Sequence, residues 1–163
     1  MTTTTTTAPS APTYKLQLTL DVPQEFLNCL ITTACEGGIN YWAACTDYKW
    51  SHGQDTDGDE LTGPTTVTVQ ESVDDLDYDG ETIMGRRGGE YKAVGVDVGP
   101  QQMLDAIIRI LDVAQPLEFI SDNFRNALLD AVRQPNGEGD GDLDANDCDL
   151  IMQVAVLGRI VYG

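Results

Sequence analysis

The stretch Glu36-Gly37-Gly38-Ile39-Asn40-Tyr41-Trp42 separates two patterns in this sequence. Before it, apolar residues recur at helical spacing, which predicts a helix with Asp21 as its N-cap, Gln24 at the capping-box position and an end near Cys35. Gly37 or Gly38 is expected to supply a left-handed C-cap. Residues 39–50 are rich in aromatic side chains and predict a strand.

The rest of the chain alternates between strand and helix patterns. Period-two alternation predicts strands at 14–20, 65–70 and 91–98, and Arg86-Arg87-Gly88-Gly89 suits a hairpin turn. Helical spacing predicts a helix at 103–111, another at 121–132 with Ser121 as its cap, and a last one from about 147 to 157. Val94, Val96 and Val98 are expected on one strand face, and Ile108 on the inner side of its helix. This order predicts a single-domain α+β fold: a mostly antiparallel sheet of about four strands, with about four helices on one face.

Length and composition narrow the class of protein. The 163 residues favour one domain at 14–163, preceded by a flexible Thr/Pro-rich leader at 1–13 that lacks the features of a signal peptide. No apolar run is long enough for a transmembrane helix. Nine Lys/Arg against 27 Asp/Glu give a net charge of −18, which disfavours nucleic acid and anionic lipid and attracts a basic protein surface.

The acids concentrate in two loops, 51–85 and 136–147, and the first contains ten acids and no Lys or Arg. Three interpretations stay open: a solvated surface, a phosphate mimic that occupies the DNA-binding groove of a basic protein, and cation buffering. The candidate partner-binding residues are Asp55, Asp57, Asp59, Glu60, Asp74, Asp75, Asp77 and Asp79.

Catalytic patterns are nearly absent from the sequence. The one histidine, His52, lies in a polar loop, and no GxSxG, P-loop or HExxH pattern is present. We therefore predict that the protein is not an enzyme.

Residues 136–147 nearly follow the register of a calcium loop, with glycine at its sixth position. The candidate ligands are Asn136, Glu138, Asp140, Asp144 and Asp147. An Asp at the last position, where a bidentate Glu is usual, weakens the match. Calcium is the one candidate cofactor, and the competing interpretation is that Gly/Asp loops resemble calcium loops by composition alone.

The central stretch, residues 36–42, has two interpretations, one as a ligand-binding site and one as a purely structural element. Two glycines let backbone approach a ligand, an exposed ring offers a stacking face, and arginines supply anion contacts. The candidate ligand-binding residues are Glu36, Gly37, Gly38, Asn40, Tyr41, Trp42, Arg86 and Arg87. The alternative is that the glycines only end a helix and the rings alternate between core and surface.

Four cysteines without CxxC spacing favour a reduced, cytoplasmic protein, although pairing among Cys29, Cys35 and Cys45 stays open. The sequence also leaves homo-oligomerisation open.

Two parts of the chain carry a resemblance to a known family. One is the heptad 36–42, and the other is a C-terminal pattern formed by Asp144, Ala145, Asp149, Gly158, Val161, Tyr162 and Gly163. Together they resemble a family of small proteins from phages of actinobacteria. The resemblance implies a phage accessory protein that acts inside a bacterial cell, and it implies no residue roles.

The leading hypothesis is a non-enzymatic acidic binding protein, an inhibitor or decoy of a basic host protein that handles nucleic acid or serves defence. One alternative is a sponge that sequesters a nucleotide-like signalling molecule. The other is a calcium-stabilised structural protein, with the virion as its location.

Overall fold

The computed structural model describes residues 19–51, 63–73, 80–84, 89–133 and 143–163. These residues form an α+β fold with helices and antiparallel strands, as the sequence predicts. The helices are α1 (Gln24–Thr33), α2 (Pro100–Leu111), α3 (Asp122–Arg133) and α4 (Ala145–Leu157), and the strands are β1 (Ala43–Lys49), β2 (Thr66–Glu71), β3 (Thr82–Met84), β4 (Glu90–Lys92) and β5 (Val96–Val98). Within the described ranges, no helix is long and apolar enough to cross a membrane.

The strands form two small sheets. Strand β2 lies between β1 and β5 and is antiparallel to both, and β3 pairs antiparallel with β4. A single bridge between Ser72 and Tyr91 connects the two sheets. The β3–β4 pair is what the predicted hairpin requires, although residues 85–88 lie outside the described ranges.

One hydrophobic core joins the sheet to all four helices. Val67 and Val69 are buried on the same face of β2, as their alternation predicts, and Val98 of β5 joins them. The helices contribute Phe26, Leu30, Ile31, Met103, Ile107, Ile110, Phe124, Leu128, Ile151 and Met152 to the same cluster. Ile108 is 59% exposed, contrary to its predicted inward position, because α2 turns Ala106 and Ile110 toward the core instead.

The prediction for the two ends of α1 is wrong. Pro23, not Asp21, is the N-cap, and no side chain caps the helix. At its other end the helix does not stop at a left-handed glycine: it continues as a π-helical turn over Ala34–Gly38 and a 3₁₀ turn over Ile39–Tyr41. Gly38 has a φ of −91°, and among the described glycines only Gly63 and Gly158 have a positive φ.

Two predicted strands are shorter than expected. The strand predicted over 39–50 begins at Ala43, because residues 39–41 still follow the helical path. The strand predicted over 91–98 is divided into β4 and β5, so Val94 is 84% exposed and shares no buried face with Val98. A Cβ at Gly95 would lie 2.5 Å from Thr68 Cγ2, so only glycine fits this crossing.

Three further predictions concern the first strand, the cap of α3 and the start of α4. Of the strand predicted at 14–20, residues 14–18 lie outside the described ranges, and residues 19 and 20 are not in a strand. The Ser121 hydroxyl accepts from the Phe124 N–H at 3.1 Å, which confirms the predicted cap of α3. Helix α4 begins at Ala145, two residues before the predicted start, because Asp144 is its N-cap.

Candidate functional site

The two glycines of the central stretch face the first turn of α4. A Cβ at Gly38 would lie 2.6 Å from the Ala145 carbonyl oxygen and 3.0 Å from Asp149 Cβ, and one at Gly37 would lie 3.1 Å from Ala145 Cβ. Real Cβ atoms essentially never sit as close to a neighbour as 2.6 Å. The glycines are therefore needed for close contact between the π-helical turn and α4, not for a turn in the left-handed region.

A buried carboxylate lies at this contact. Asp149 is 4% exposed, and its Oδ1 accepts from Trp42 Nε1 at 2.6 Å. Its Oδ2 accepts from the Tyr41 hydroxyl at 2.7 Å and from Gln153 Nε2 at 2.9 Å. Burial of a carboxylate is costly unless donors surround it. Three donors meet that requirement, so Asp149 holds the central stretch against α4.

Gln153 extends this network to the C-terminal segment. Its Nε2 donates to the Tyr162 carbonyl at 2.8 Å, and its Oε1 accepts from the backbone N–H groups of Val161 and Tyr162, each at 2.9 Å. The Tyr162 ring stacks on Trp42 with centroids 5.4 Å apart and planes 11° apart. We call this cluster of Tyr41, Trp42, Asp149, Gln153 and Tyr162 the polar corner.

The polar corner has the properties of a structural element. Burial and the hydrogen bond to Asp149 raise the pKa of the Tyr41 hydroxyl to about 12, so Tyr41 keeps its proton and acts as a donor. Trp42 is 0% exposed and offers no stacking face to a ligand, because Asp149 and Tyr162 cover it. The corner brings together the two separate parts of the chain on which the sequence resemblance rests.

A groove lies on the other side of the central stretch. It has a volume of about 630 Å³ and runs between the π-helical turn, β1 and the β3–β4 pair. Its described lining residues are Cys35, Glu36, Asn40, Ala43, Ala44, Cys45, Thr46, Asp47, Tyr48, Gln70, Ile83, Met84 and Tyr91. The groove therefore contains two of the predicted ligand-binding residues, Glu36 and Asn40, while Gly37, Gly38, Tyr41 and Trp42 contact α4 or the polar corner. Arg86 and Arg87 lie outside the described ranges.

Gln70 is the one groove residue with a buried acceptor that lacks a partner in the described part of the chain. The residue is 6% exposed, its Nε2 donates to the Ala93 carbonyl at 3.0 Å, and its Oε1 accepts no hydrogen bond from the residues that the structure describes. A buried polar atom without a partner costs about 1–3 kcal/mol. A donor supplied by a ligand would remove that cost.

Two thiols lie in the wall of the groove, Cys35 from the π-helical turn and Cys45 from β1. A hydrogen bond between the side chains lowers the pKa of Cys45, since the Cys35 thiol stabilises the Cys45 thiolate, while the same bond and burial raise the pKa of Cys35. Both residues carry thiols rather than a disulfide. Of the two thiols, Cys45 is the one whose pKa shifts toward the thiolate.

The predicted partner-binding acids all lie outside the described ranges, in the segments 52–62 and 74–79. The first segment connects β1 to β2 and the second connects β2 to β3. They therefore leave opposite ends of β2, a strand of six residues that spans roughly 20 Å. The described residues that flank β2, to which the two acidic segments attach, are therefore not adjacent.

Two of the five candidate calcium ligands are described, and both cap α4. Asp144 Oδ1 accepts from the backbone N–H groups of Asn146 at 2.8 Å and Asp147 at 2.9 Å, and Asp147 Oδ2 accepts from the Asp144 N–H at 3.3 Å. This reciprocal pair is a capping box. Asn136, Glu138 and Asp140 lie outside the described ranges, and the residues inside them contain no group of three or more His, Cys, Asp or Glu that could hold a metal.

Sequence reasoning missed Gln70, Tyr91 and the Cys35–Cys45 pair as groove residues. Gln70 ends an alternating strand pattern at a position that predicts solvent exposure, and no local signal indicates that residues 93–95 lie against it. Asp149 was found only through the C-terminal resemblance.

Comparison of this chain with models of known protein families, with curated proteins and with solved structures gives no match.

Proposed function

We propose that this chain is a non-enzymatic acidic binding protein that docks against a basic protein, as an inhibitor or decoy of a nucleic-acid-handling or defence protein in a bacterial host. The observation that carries the proposal is the net charge of −18 on 163 residues. A field of this sign speeds encounter with a cationic surface and repels nucleic acid.

Ion pairing within the chain cannot neutralise that field. Within the described ranges, ion pairs join Lys92 to Glu71, Arg125 to Asp122 and Arg133 to Asp130. Each pair uses one of only nine Lys/Arg residues in the chain, while 27 Asp/Glu are present. Most carboxylates therefore have no cation of their own chain to pair with, which favours a cationic partner.

Competition with DNA tests the proposal. Protamine, an arginine-rich DNA-binding protein, is titrated onto labelled duplex DNA with and without the full chain, in about 50 mM and about 300 mM NaCl. We expect the chain to release DNA from protamine at low salt and to lose most of this effect at high salt, because ion-pair binding is screened. No release at low salt, or release that salt leaves unchanged, would contradict the proposal.

Two charge-matched variants test the role of the acidic segments. One replaces the four acids of 52–62 and the other the four acids of 74–79, each with the corresponding amide. Since each variant removes four charges, a larger loss in one of them identifies the segment that contacts the partner. Equal losses would indicate a general charge effect.

A second candidate function is sequestration of a nucleotide-like molecule in the groove. Asn40, Tyr48 and Tyr91 line the groove, and the buried Gln70 Oε1 is an acceptor that a base amino group could use. Such a ligand would co-purify as ultraviolet-absorbing material released by denaturation. A preparation without such material, whose melting temperature a nucleotide panel leaves unchanged, would exclude this candidate.

A further inference from the structure

The groove that contains Gln70 is rich in acceptors and poor in cations. Glu36 and Asp47 contribute exposed carboxylates, and no Lys or Arg is among its described lining residues. The charge of Glu36 is felt within the groove: burial raises the pKa of the Tyr48 hydroxyl, and the nearby Glu36 carboxylate raises it further. A cationic group is therefore favoured in this groove over a phosphate.

Gln70 supplies a second observation, independent of charge. Gln70 lines the groove, and its Oε1 is buried and accepts no hydrogen bond from any described residue. An atom in this position requires an N–H or O–H donor. The site thus has an acceptor without a donor and a negative charge without a cation. A cationic group with N–H donors matches both features.

We propose that the groove receives an arginine side chain of the basic partner, whose guanidinium donates to Gln70 Oε1 and pairs with the carboxylates of Glu36 and Asp47. This inference rests on the proposed function and gives it a docking point within the described residues.

The other lining residues favour guanidinium over ammonium. Arginine presents five N–H donors in a planar fork and stacks on aromatic faces, whereas lysine is a strongly hydrated point charge. Tyr48 and Tyr91 line the groove, so two aromatic side chains lie near a guanidinium bound there. Met84, 68% exposed, adds apolar surface for the arginine stem.

Peptide binding tests the inference. A fluorescein-labelled octa-arginine peptide is titrated with the full chain and followed by anisotropy, beside an octa-lysine peptide of equal charge. The wild-type chain is expected to bind octa-arginine about fivefold more tightly than octa-lysine. Equal affinity for the two peptides would overturn the assignment of a guanidinium group.

Variants locate the binding. The double variant E36Q/D47N is compared with D105N/E118Q, which removes the same charge from two exposed acids that do not line the groove. We expect about a tenfold loss of affinity for E36Q/D47N and less than about a twofold loss for D105N/E118Q. Equal losses would overturn the inference while leaving the proposed function intact; failure of the wild-type chain to bind octa-arginine at all would overturn both.

Gln70→Met provides a test at constant charge. Met fills a similar volume and cannot accept a strong hydrogen bond, so long-range attraction is unchanged while the docking point is lost together with the hydrogen bond to the Ala93 carbonyl. The expected result is about a fivefold weaker affinity for octa-arginine, and wild-type affinity in a folded Q70M protein would overturn the role of Gln70.

The groove thiols give a second readout, which reports on the groove directly. Saturating octa-arginine is expected to slow alkylation of Cys45 by N-ethylmaleimide at least about threefold, measured by peptide mass spectrometry, and E36Q/D47N is expected to lose this protection. Alkylation at the same rate with and without bound peptide would place the peptide elsewhere on the surface and overturn the inference.

Discussion

Two buried glutamines, Gln153 in the polar corner and Gln70 in the groove, have opposite hydrogen-bonding states. Gln153 is 0% exposed, and both of its side-chain polar atoms have partners in α4 or the C-terminal segment. Gln70 is 6% exposed, and its Oε1 accepts from no described residue. The first glutamine is fully engaged within the fold, whereas the second has one acceptor that no described residue uses.

The difference in hydrogen bonding distinguishes residues that stabilise the fold from candidate binding residues more clearly than the sequence motif does. Trp42 and Tyr41, the most conspicuous members of the motif, belong to the region where hydrogen bonds are complete. Incomplete hydrogen bonding lies instead beside Glu36 and Asn40, at the other edge of the same stretch.

Substitution of the two glutamines by methionine should produce the largest contrast. Gln153→Met leaves the N–H groups of Val161 and Tyr162 without their acceptor, and we expect it to lower the free energy of unfolding by about 2–4 kcal/mol. Gln70→Met removes one hydrogen bond but also an unpartnered buried oxygen, so its cost should stay within about 1 kcal/mol. Urea unfolding monitored by circular dichroism gives both values, and equal costs would contradict the comparison.

A methyl group at the helix contact should have the next largest effect. Gly38→Ala places a Cβ 2.6 Å from the Ala145 carbonyl oxygen, and the strain should destabilise the fold by about 2 kcal/mol. Gly163→Ala is the matched control, because a Cβ there would meet no described atom within 4 Å. If both variants melt at the wild-type temperature, the close contact between the π-helical turn and α4 is not needed for stability.

The smallest effect concerns pH and the Tyr41 hydroxyl. Its pKa in the folded protein is about 12, above the ordinary value near 10, so its contribution is fully present below pH 10 and is lost as the pH rises through 12. Tyr41→Phe should therefore be less stable than wild type by about 1 kcal/mol below pH 10. The difference should shrink between pH 10 and 12, and urea midpoints across this range check it; a constant difference would refute the role of the hydrogen bond.

Local sequence patterns predicted much of the fold because periodicity depends on near neighbours. The burial of Val67 and Val69 and the cap at Ser121 follow from spacing and residue type alone. The role of Gly38 does not, because α4, more than a hundred residues later in the chain, determines what fits there. Glycine near a helix end has two explanations, positive φ and close contact, and only tertiary structure distinguishes them.

The candidate site was predictable only in part, for a related reason. Glu36 and Asn40 were identified from their place beside the two glycines, and both line the groove. Gln70 and Tyr91 could not be found, because Gln70 contacts residues 93–95 and Tyr91 pairs with Ser72, both across more than fifteen residues of sequence. The predicted metal ligands Asp144 and Asp147 show the converse case, since the same carboxylates that suit calcium also cap a helix.

The stack of Trp42 on Tyr162 joins two positions far apart in the chain, and the segments 52–62, 74–79 and 134–142 all lie between them. The closure entropy of a flexible connection grows only logarithmically with its length, so each doubling costs about 0.6 kcal/mol. Where an insertion lengthens a connection of that kind, we expect stability to change little as long as the stack is kept. The amount of negative charge on this protein can therefore change during evolution by simple changes in segment length, independently of the architecture that carries it.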